Sequence, residues 1–370
     1  MSRHILIVPD KFKGTLTAQA AAQAIARGWK KSCPNDQLEL LPMSDGGDGF
    51  GQVLRDLLEA EERMVKTVDA AHRSIRAVWW WQEKSRTAIV EAARVNGLAM
   101  LPSKKFHPFQ LDTFGLGAVL DAAEKAGAKK CVVGIGGSAT NDGGFGLACA
   151  LGWKFFGRFG DPIREWWQLE HLAKVQAPEK PLKLKVTVAV DVANPLLGPK
   201  GCSRIYGPQK GLRPDDFLFA EKNLGRLAEV MRQEMGKDFS KVPGSGAAGG
   251  LGFGLMTFAA AKVESGFQIF ADLAQLEKRI RATDLVITGE GAMDEQTYMG
   301  KGVGRIAQLC RWHKVPCLGL AGVVVNPGRA KKFFSQTRSL VKFAGIEKAI
   351  KEPENILSIL AARAAFRLKP

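Results

Sequence analysis

The chain has 370 residues, 46% of them hydrophobic and 24% charged, with a formal net charge of +16. That composition excludes a disordered chain, and the length exceeds an ordinary single domain, so two domains are expected. No apolar run approaches the roughly 20 residues of a membrane helix, and Met1 to His4 is too short a lead-in for a secretion signal. A cytoplasmic location with no membrane partner is expected.

Strands and helices alternate along the chain. Ile5 to Val8 reads as a buried strand, followed by a helix that Thr17 opens and whose inner face carries Ala21, Ile25 and Trp29. Leu38 to Leu41 is a second strand, leading into Ser44-Asp45-Gly46-Gly47-Asp48-Gly49. Phe50, Val53, Leu54, Leu57 and Leu58 then follow the i, i+3, i+4, i+7, i+8 spacing of an amphipathic helix. Residues 62–91 read as successive strands without helices and include Trp79-Trp80-Trp81. Thr113 and Gly127 bracket a helix that feeds the strand Cys131-Val132-Val133. Residues 152–183 are irregular and aromatic. Leu184 to Val190, Leu285 to Ile287 and Val315 to Leu320 are further buried strands, and Pro353 opens the last helix.

This rhythm predicts an α/β fold with mostly parallel sheets and two dissimilar domains, one inserted into the other. The expected partition gives 1–60, 112–150 and 280–370 to a Rossmann-like main domain, and 61–111 with 151–279 to the insert.

The chemistry concentrates where strands end. Asp10 and Lys13 follow the first strand, Asp45 the second, Asp191 the strand ending at Val190, and Glu290 and Asp294 the strand ending at Ile287. Cys131 to Val133 leads into Gly134-Ile135-Gly136-Gly137-Ser138-Ala139-Thr140-Asn141-Asp142-Gly143-Gly144. Ligands of open α/β sheets bind beyond the carboxyl ends of the strands. Glycines there let backbone N–H groups approach an anion, and carboxylates hold a metal or move a proton.

Gly136, Gly137, Ser138, Thr140, Asn141 and Asp142 are therefore candidate phosphate or substrate contacts. So are Asp10, Asp45, Gly289, Glu290, Gly291, Asp294, Gln296, Thr297 and Lys301. Asp142, Glu290 and Asp294 are the candidate metal ligands. Lys13 and Lys301 can neutralise a transferring phosphoryl group. Asp191, at a strand end beside the stiff loop containing Pro195 and Pro199, is the candidate catalytic base. A second glycine cluster, Gly244 to Gly254, fits close packing and ligand contact equally.

Several familiar architectures are absent. Gly134-x-Gly136-x-x-Ala139 lacks the acidic residue that a dinucleotide site needs roughly 20 positions on. No Walker A loop and no protein-kinase signature occurs. The six cysteines include no C-x-x-C pair, so neither a zinc site nor a disulfide framework is expected. Basic residues are spread out, with short clusters such as Lys104-Lys105 and Lys331-Lys332. With no nucleic-acid motif, a basic surface attracting anionic substrates is the better reading than nucleic acid.

The segments VPDKFKGTLTA, MSDGGDG, GIGGSATNDGG, AVDVANPLLGPKG, YGPQKG, PGSGAAGGLGFGL and DLVITGEGAMDEQT with GKG resemble the class I glycerate kinases over roughly residues 5–322. The resemblance implies ATP-dependent phosphorylation of D-glycerate, generally to 2-phosphoglycerate, with Mg²⁺. In that setting Lys13, with the helix beginning near Thr17, is expected to receive the glycerate carboxylate. Two departures stand out: Lys11 where the family usually has serine, and His107-Pro108 where Asn-Pro is usual. The same motifs allow a kinase or phosphatase for another small hydroxy acid, and a homodimer is left open.

Overall fold

A computed structural model describes residues 2–103 and 105–367. Lys104 of the Lys104-Lys105 cluster lies outside the described residues. The strands in chain order are β1 (His4–Pro9), β2 (Gln37–Leu40), β3 (Glu61–Val68), β4 (Ser74–Gln82), β5 (Thr87–Glu91), β6 (Lys130–Gly134), β7 (Lys154–Phe156), β8 (Lys174–Gln176), β9 (Lys185–Ala189), β10 (Lys262–Glu264), β11 (Leu285–Met293), β12 (Cys317–Val324) and β13 (Gln336–Ser339). The chain divides into two units, Met1–Asp45 with Phe267–Pro370, and Gly46–Gly266.

The first unit is built on a sheet of order β13-β12-β11-β1-β2 in which every pairing is parallel. β1 reads as an unbroken apolar run because helices cover both faces of such a sheet. Ile5, Ile7 and Phe12 join Ala21, Ile25 and Trp29 of the helix Ala18–Ser32 in one core, with Leu357, Leu360 and Ala361 of the helix Pro353–Arg367. Thr17 caps the earlier helix, its hydroxyl accepting from Ala20 N at 3.1 Å. The two helices touch at Gly28, where a Cβ would stand 2.0 Å from the Ser358 carbonyl oxygen.

The second unit has a sheet of order β10-β9-β6-β5-β4-β3, parallel from β10 to β5 and antiparallel across β3, β4 and β5. This corrects the partition read from sequence. Residues 112–150 belong here because β6 pairs with β5 and β9, and residues 46–60 belong here because Phe50 lies against Gly134 and Gly51 against Trp80. Residues 267–279 fall in the first unit, where the Arg279 guanidinium bonds Glu39.

The tryptophan run is two-faced core. Trp79 and Trp81 share one buried cluster with Ala77 and Leu116, while Trp80 lies beneath the Arg94 guanidinium, 4.9 Å from its ring centroid. The aromatic stretch after Gly152 forms a separate core in which Phe155, Trp166 and Leu169 meet Leu224 and Leu227 of the helix Asp216–Met235. His107 does the capping work open to an asparagine. Its Nδ1 accepts from Phe109 N at 3.3 Å, and its Nε2 lies 3.2 Å from Asp216 Oδ2.

Because the helices Ala18–Ser32 and Pro353–Arg367 meet backbone to backbone at Gly28, a side chain there must push them apart. Gly28→Val is expected to cost about 1–3 kcal/mol, the usual overpacking penalty. A shift of the urea midpoint checks it, and an unchanged midpoint would show that the contact yields without cost.

Candidate functional site

In the first unit, the parallel register of β1 and β11 places Pro9 beside Gly289, and Asp10 N donates to the Gly289 carbonyl at 2.8 Å. The next residues on the two strands, Asp10 and Glu290, are both carboxylates at a carboxyl edge. Asp10 Oδ1 accepts from Lys11 N at 2.7 Å. Glu290 Oε1 accepts from Thr297 Oγ1 at 2.7 Å, and that hydroxyl in turn accepts from Asp294 N at 3.2 Å. Asp294 caps the short turn Glu295–Tyr298, its Oδ1 accepting from Gln296 N at 2.8 Å.

Negative charge is in surplus here. Burial, and secondly the charge of Asp45, raise the Asp10 carboxyl to about 7, against the pull of Lys11 and Lys301. Burial raises Glu290 to about 8, with Asp10, Asp294 and Asp45 adding to it despite the Thr297 bond. Lys11, the departure from the family's serine, thus supplies compensating charge. Asp10, Asp45, Glu290, Asp294 and Lys301 are brought into one electrostatic cluster, and Gly291 comes close to Lys13 N, 3.0 Å from where its Cβ would lie. Lys13 itself is exposed in a turn closed by the Phe12–Leu16 bridge.

In the second unit, the loop after β6 is held from within. Ser138 Oγ and Thr140 Oγ1 lie 3.0 Å apart, Asn141 Nδ2 donates to Ser203 Oγ at 2.9 Å, and Ala139 N donates to the Asn96 carbonyl at 2.8 Å. Ser138, Thr140 and Asn141 are buried, and Gly136 and Gly137 are the accessible residues of the loop. Gly137 is exposed, at φ 76°, and a Cβ would stand 2.1 Å from Asp48 Oδ1, so only glycine fits.

Asp142, a candidate metal ligand, spends both carboxylate oxygens on donors of the protein itself. Its fully buried Oδ2 accepts from Thr113 N at 3.0 Å, Thr113 Oγ1 at 2.7 Å and Gly146 N at 3.0 Å, while Oδ1 accepts from Gly144 N at 3.3 Å. Burial and the nearby Asp112 raise its carboxyl to about 6, opposed by those bonds. It joins the starts of the helices Phe114–Lys125 and Phe145–Ala150. Asp191, half-buried after β9, accepts from Ser265 Oγ at 2.6 Å.

Two buried groups escaped the sequence reading. Glu91, the last residue of β5, accepts from Gly49 N at 2.7 Å through Oε1 and lies 3.5 Å from Arg94 Nε through Oε2. Lys210, within the GPQKG segment, is buried with its ammonium 2.5 Å from the Thr140 carbonyl, and burial pushes its pKa down to about 8. A carboxylate ending an all-buried strand was the available signal for Glu91. Nothing in the local pattern marked Lys210 as interior.

Among the described residues no three His, Cys, Asp or Glu side chains lie close enough to form a metal cage. What fits the first unit is a hydrated cation held by one or two carboxylates, the usual manner of Mg²⁺, because burial and mutual repulsion disfavour the charged forms of Asp10 and Glu290 and a cation would favour them.

That surplus has a measurable sign. The unfolded chain releases the Glu290 proton near pH 4.5 and the folded chain near 8, so folding takes up a proton between these values and stability falls as pH rises through them. Glu290→Gln keeps the acceptor for Thr297 and removes the charge. The variant is expected to match the parent at pH 4.5 and to exceed it by several kcal/mol, at most about 5, at pH 8.5, since one unit is worth about 1.4 kcal/mol. Denaturant titrations at the two pH values check this, and a difference independent of pH would remove the charge argument.

With the geometry in place, comparison with known proteins is direct. The model of the "Glycerate kinase family" matches residues 5–369. A glycerate kinase of Halalkalibacterium halodurans is 37% identical over 86% of this chain and 85% of its own, and a glycerate 2-kinase of Escherichia coli is 37% identical over 87% and 86%. The crystal structure of a protein of Salmonella typhimurium, provisionally named glycerate kinase 2, superposes with a TM-score of 0.85 at 30% identity, covering 100% of this chain and 98% of that one. The family match takes in residues 323–369, beyond the stretch over which the sequence motifs carry the resemblance. The chain belongs to the glycerate kinase family.

Proposed function

We propose that the protein transfers the γ-phosphoryl group of ATP to D-glycerate, giving 2-phosphoglycerate. The observation that carries this reading, beside family membership, is the pair Asp10 and Glu290, each one residue past the paired Pro9 and Gly289 of β1 and β11 and pushed toward its protonated form by burial and its acidic neighbours. A nucleotide-bound divalent cation is the chemistry that relieves such a pair, and Mg²⁺ held there would neutralise charge on the phosphates.

The protein's own residues then have defined tasks. Lys301, which already lowers Asp10 electrostatically, and the exposed Lys13 attract phosphoryl oxygens. The Asn141 N–H, for which the described residues offer no acceptor, receives an oxyanion of substrate. A hydroxyl oxygen of D-glycerate bonds to the γ-phosphorus as the bond to the β–γ bridging oxygen breaks. ADP leaves with that electron pair, and the hydroxyl proton passes to Asp191. Ser265 Oγ, donating at 2.6 Å, holds one Asp191 oxygen in place.

The direct test is ADP release with D-glycerate, with the product identified as 2- or 3-phosphoglycerate by NMR. Asp191→Asn is expected to lower kcat by about 10²–10⁴-fold, the usual effect of removing a general base, with much smaller changes in KM. Near-normal turnover by the variant would exclude Asp191 as the base. Absence of turnover with D-glycerate, alongside activity on another hydroxy acid, would move the substrate assignment.

A further inference from the structure

A buried ammonium ion is expensive unless it is used. Lys210, 5% exposed, makes no ion pair with a carboxylate among the described residues, and its ammonium is held by the Thr140 carbonyl at 2.5 Å. The fold makes room for this contact. Gly249 lies beside it at φ 73°, where a Cβ would stand 1.9 Å from the Thr140 oxygen and 2.8 Å from Lys210 Nζ. Gly143 N donates to the Gly249 carbonyl at 3.1 Å, tying the same two segments together. The second glycine cluster thus closes around the lysine and the loop it holds.

The consequence falls on the next amide. In a trans peptide the carbonyl and the following N–H point in opposite directions. A Thr140 carbonyl drawn to Lys210 therefore turns the Asn141 N–H away from it. Among the described residues that N–H meets no acceptor, although Asn141 is buried, and buried N–H groups are rarely left so.

We propose that Lys210 is a positioning residue: by holding the Thr140 carbonyl it orients the Asn141 N–H as a donor to an oxyanion of the substrate. The inference rests on the proposed function for the identity of the substrate but not for the existence of the anion site. Asp142 and Cys202 are the titratable groups whose charges Lys210 feels. Asp142 is occupied by the helix starts described above, which leaves the ammonium for the carbonyl.

The experiment combines one variant with one spectroscopic readout on the full chain. The Asn141 amide resonance is followed while D-glycerate, and separately inorganic phosphate, is added to the wild-type protein. Affinity for D-glycerate is measured by calorimetry on wild type and on Lys210→Met. The Asn141 amide is expected to shift with at least one anion. A hydrogen bond to a charged group is worth about 1.5–3 kcal/mol, so Lys210→Met should weaken D-glycerate binding by about 10–100-fold, with a smaller change in kcat. Thermal stability should hold or rise, since a buried charge has gone.

A merely structural lysine predicts unaltered affinity in a folded Lys210→Met protein, and that result overturns the proposal. If the variant fails to fold, the wild-type titration decides, and an Asn141 amide unmoved by both anions overturns it equally. A wild-type protein without glycerate kinase activity whose Asn141 amide still shifts with phosphate would refute the proposed substrate and uphold the anion site.

Discussion

Carboxylates crowded at the shared edge of β1 and β11 are the constraint on which the first unit depends. Parallel pairing brings Asp10 and Glu290 side by side where β1 ends against β11, and Asp45 and Asp294 add to the same field. A fold selected for stability alone would not gather acids in a half-buried place with so little cation to match. The Thr297 hydroxyl and the Lys11 N–H hold the two side chains in place without neutralising them. That combination, fixed geometry with charge left over, suits a site completed by a cation and an anionic nucleotide.

The second unit works by the opposite device. Its loop after β6 spends its polar side chains on the interior, so Ser138, Thr140 and Asn141 bind one another and Ser203. Asp142 is committed to Thr113 and Gly146. Such saturation stiffens the loop and leaves Gly136 and Gly137 as its accessible part. Preorganised amides of this kind cost little reorganisation when an anion arrives. Lys210 and Gly249 support the arrangement from beneath.

Much of this was legible in the sequence, for identifiable reasons. Buried parallel strands read as apolar runs, so β1, β6, β9, β11 and β12 stood out, and Thr17 and Pro353 marked helix starts by their chemistry. Strand ends followed by acids and glycines located Asp10, Glu290 and the loop after β6. Sheet membership was less legible, because an apolar run does not name its neighbours: β6 reads equally well beside β1 or beside β5. Side-chain direction was hidden too. GGSATND looks like a set of outward donors, and only the contacts with Asn96, Thr113, Ser203 and Lys210 show that its polar groups turn inward. A lysine in a loop reads as surface, which is why Lys210 passed unnoticed.

The most direct measurement is the titration of the Asp10 and Glu290 carboxyl carbons by ¹³C NMR, with and without Mg²⁺ and ATP. Carboxyls crowded as described should titrate near 7 for Asp10 and near 8 for Glu290 in the free protein, and both should move down when the cation and nucleotide bind. Titration of both in the ordinary carboxylate range near 4, unchanged by Mg²⁺ and ATP, would contradict the surplus of charge on which the functional reading stands.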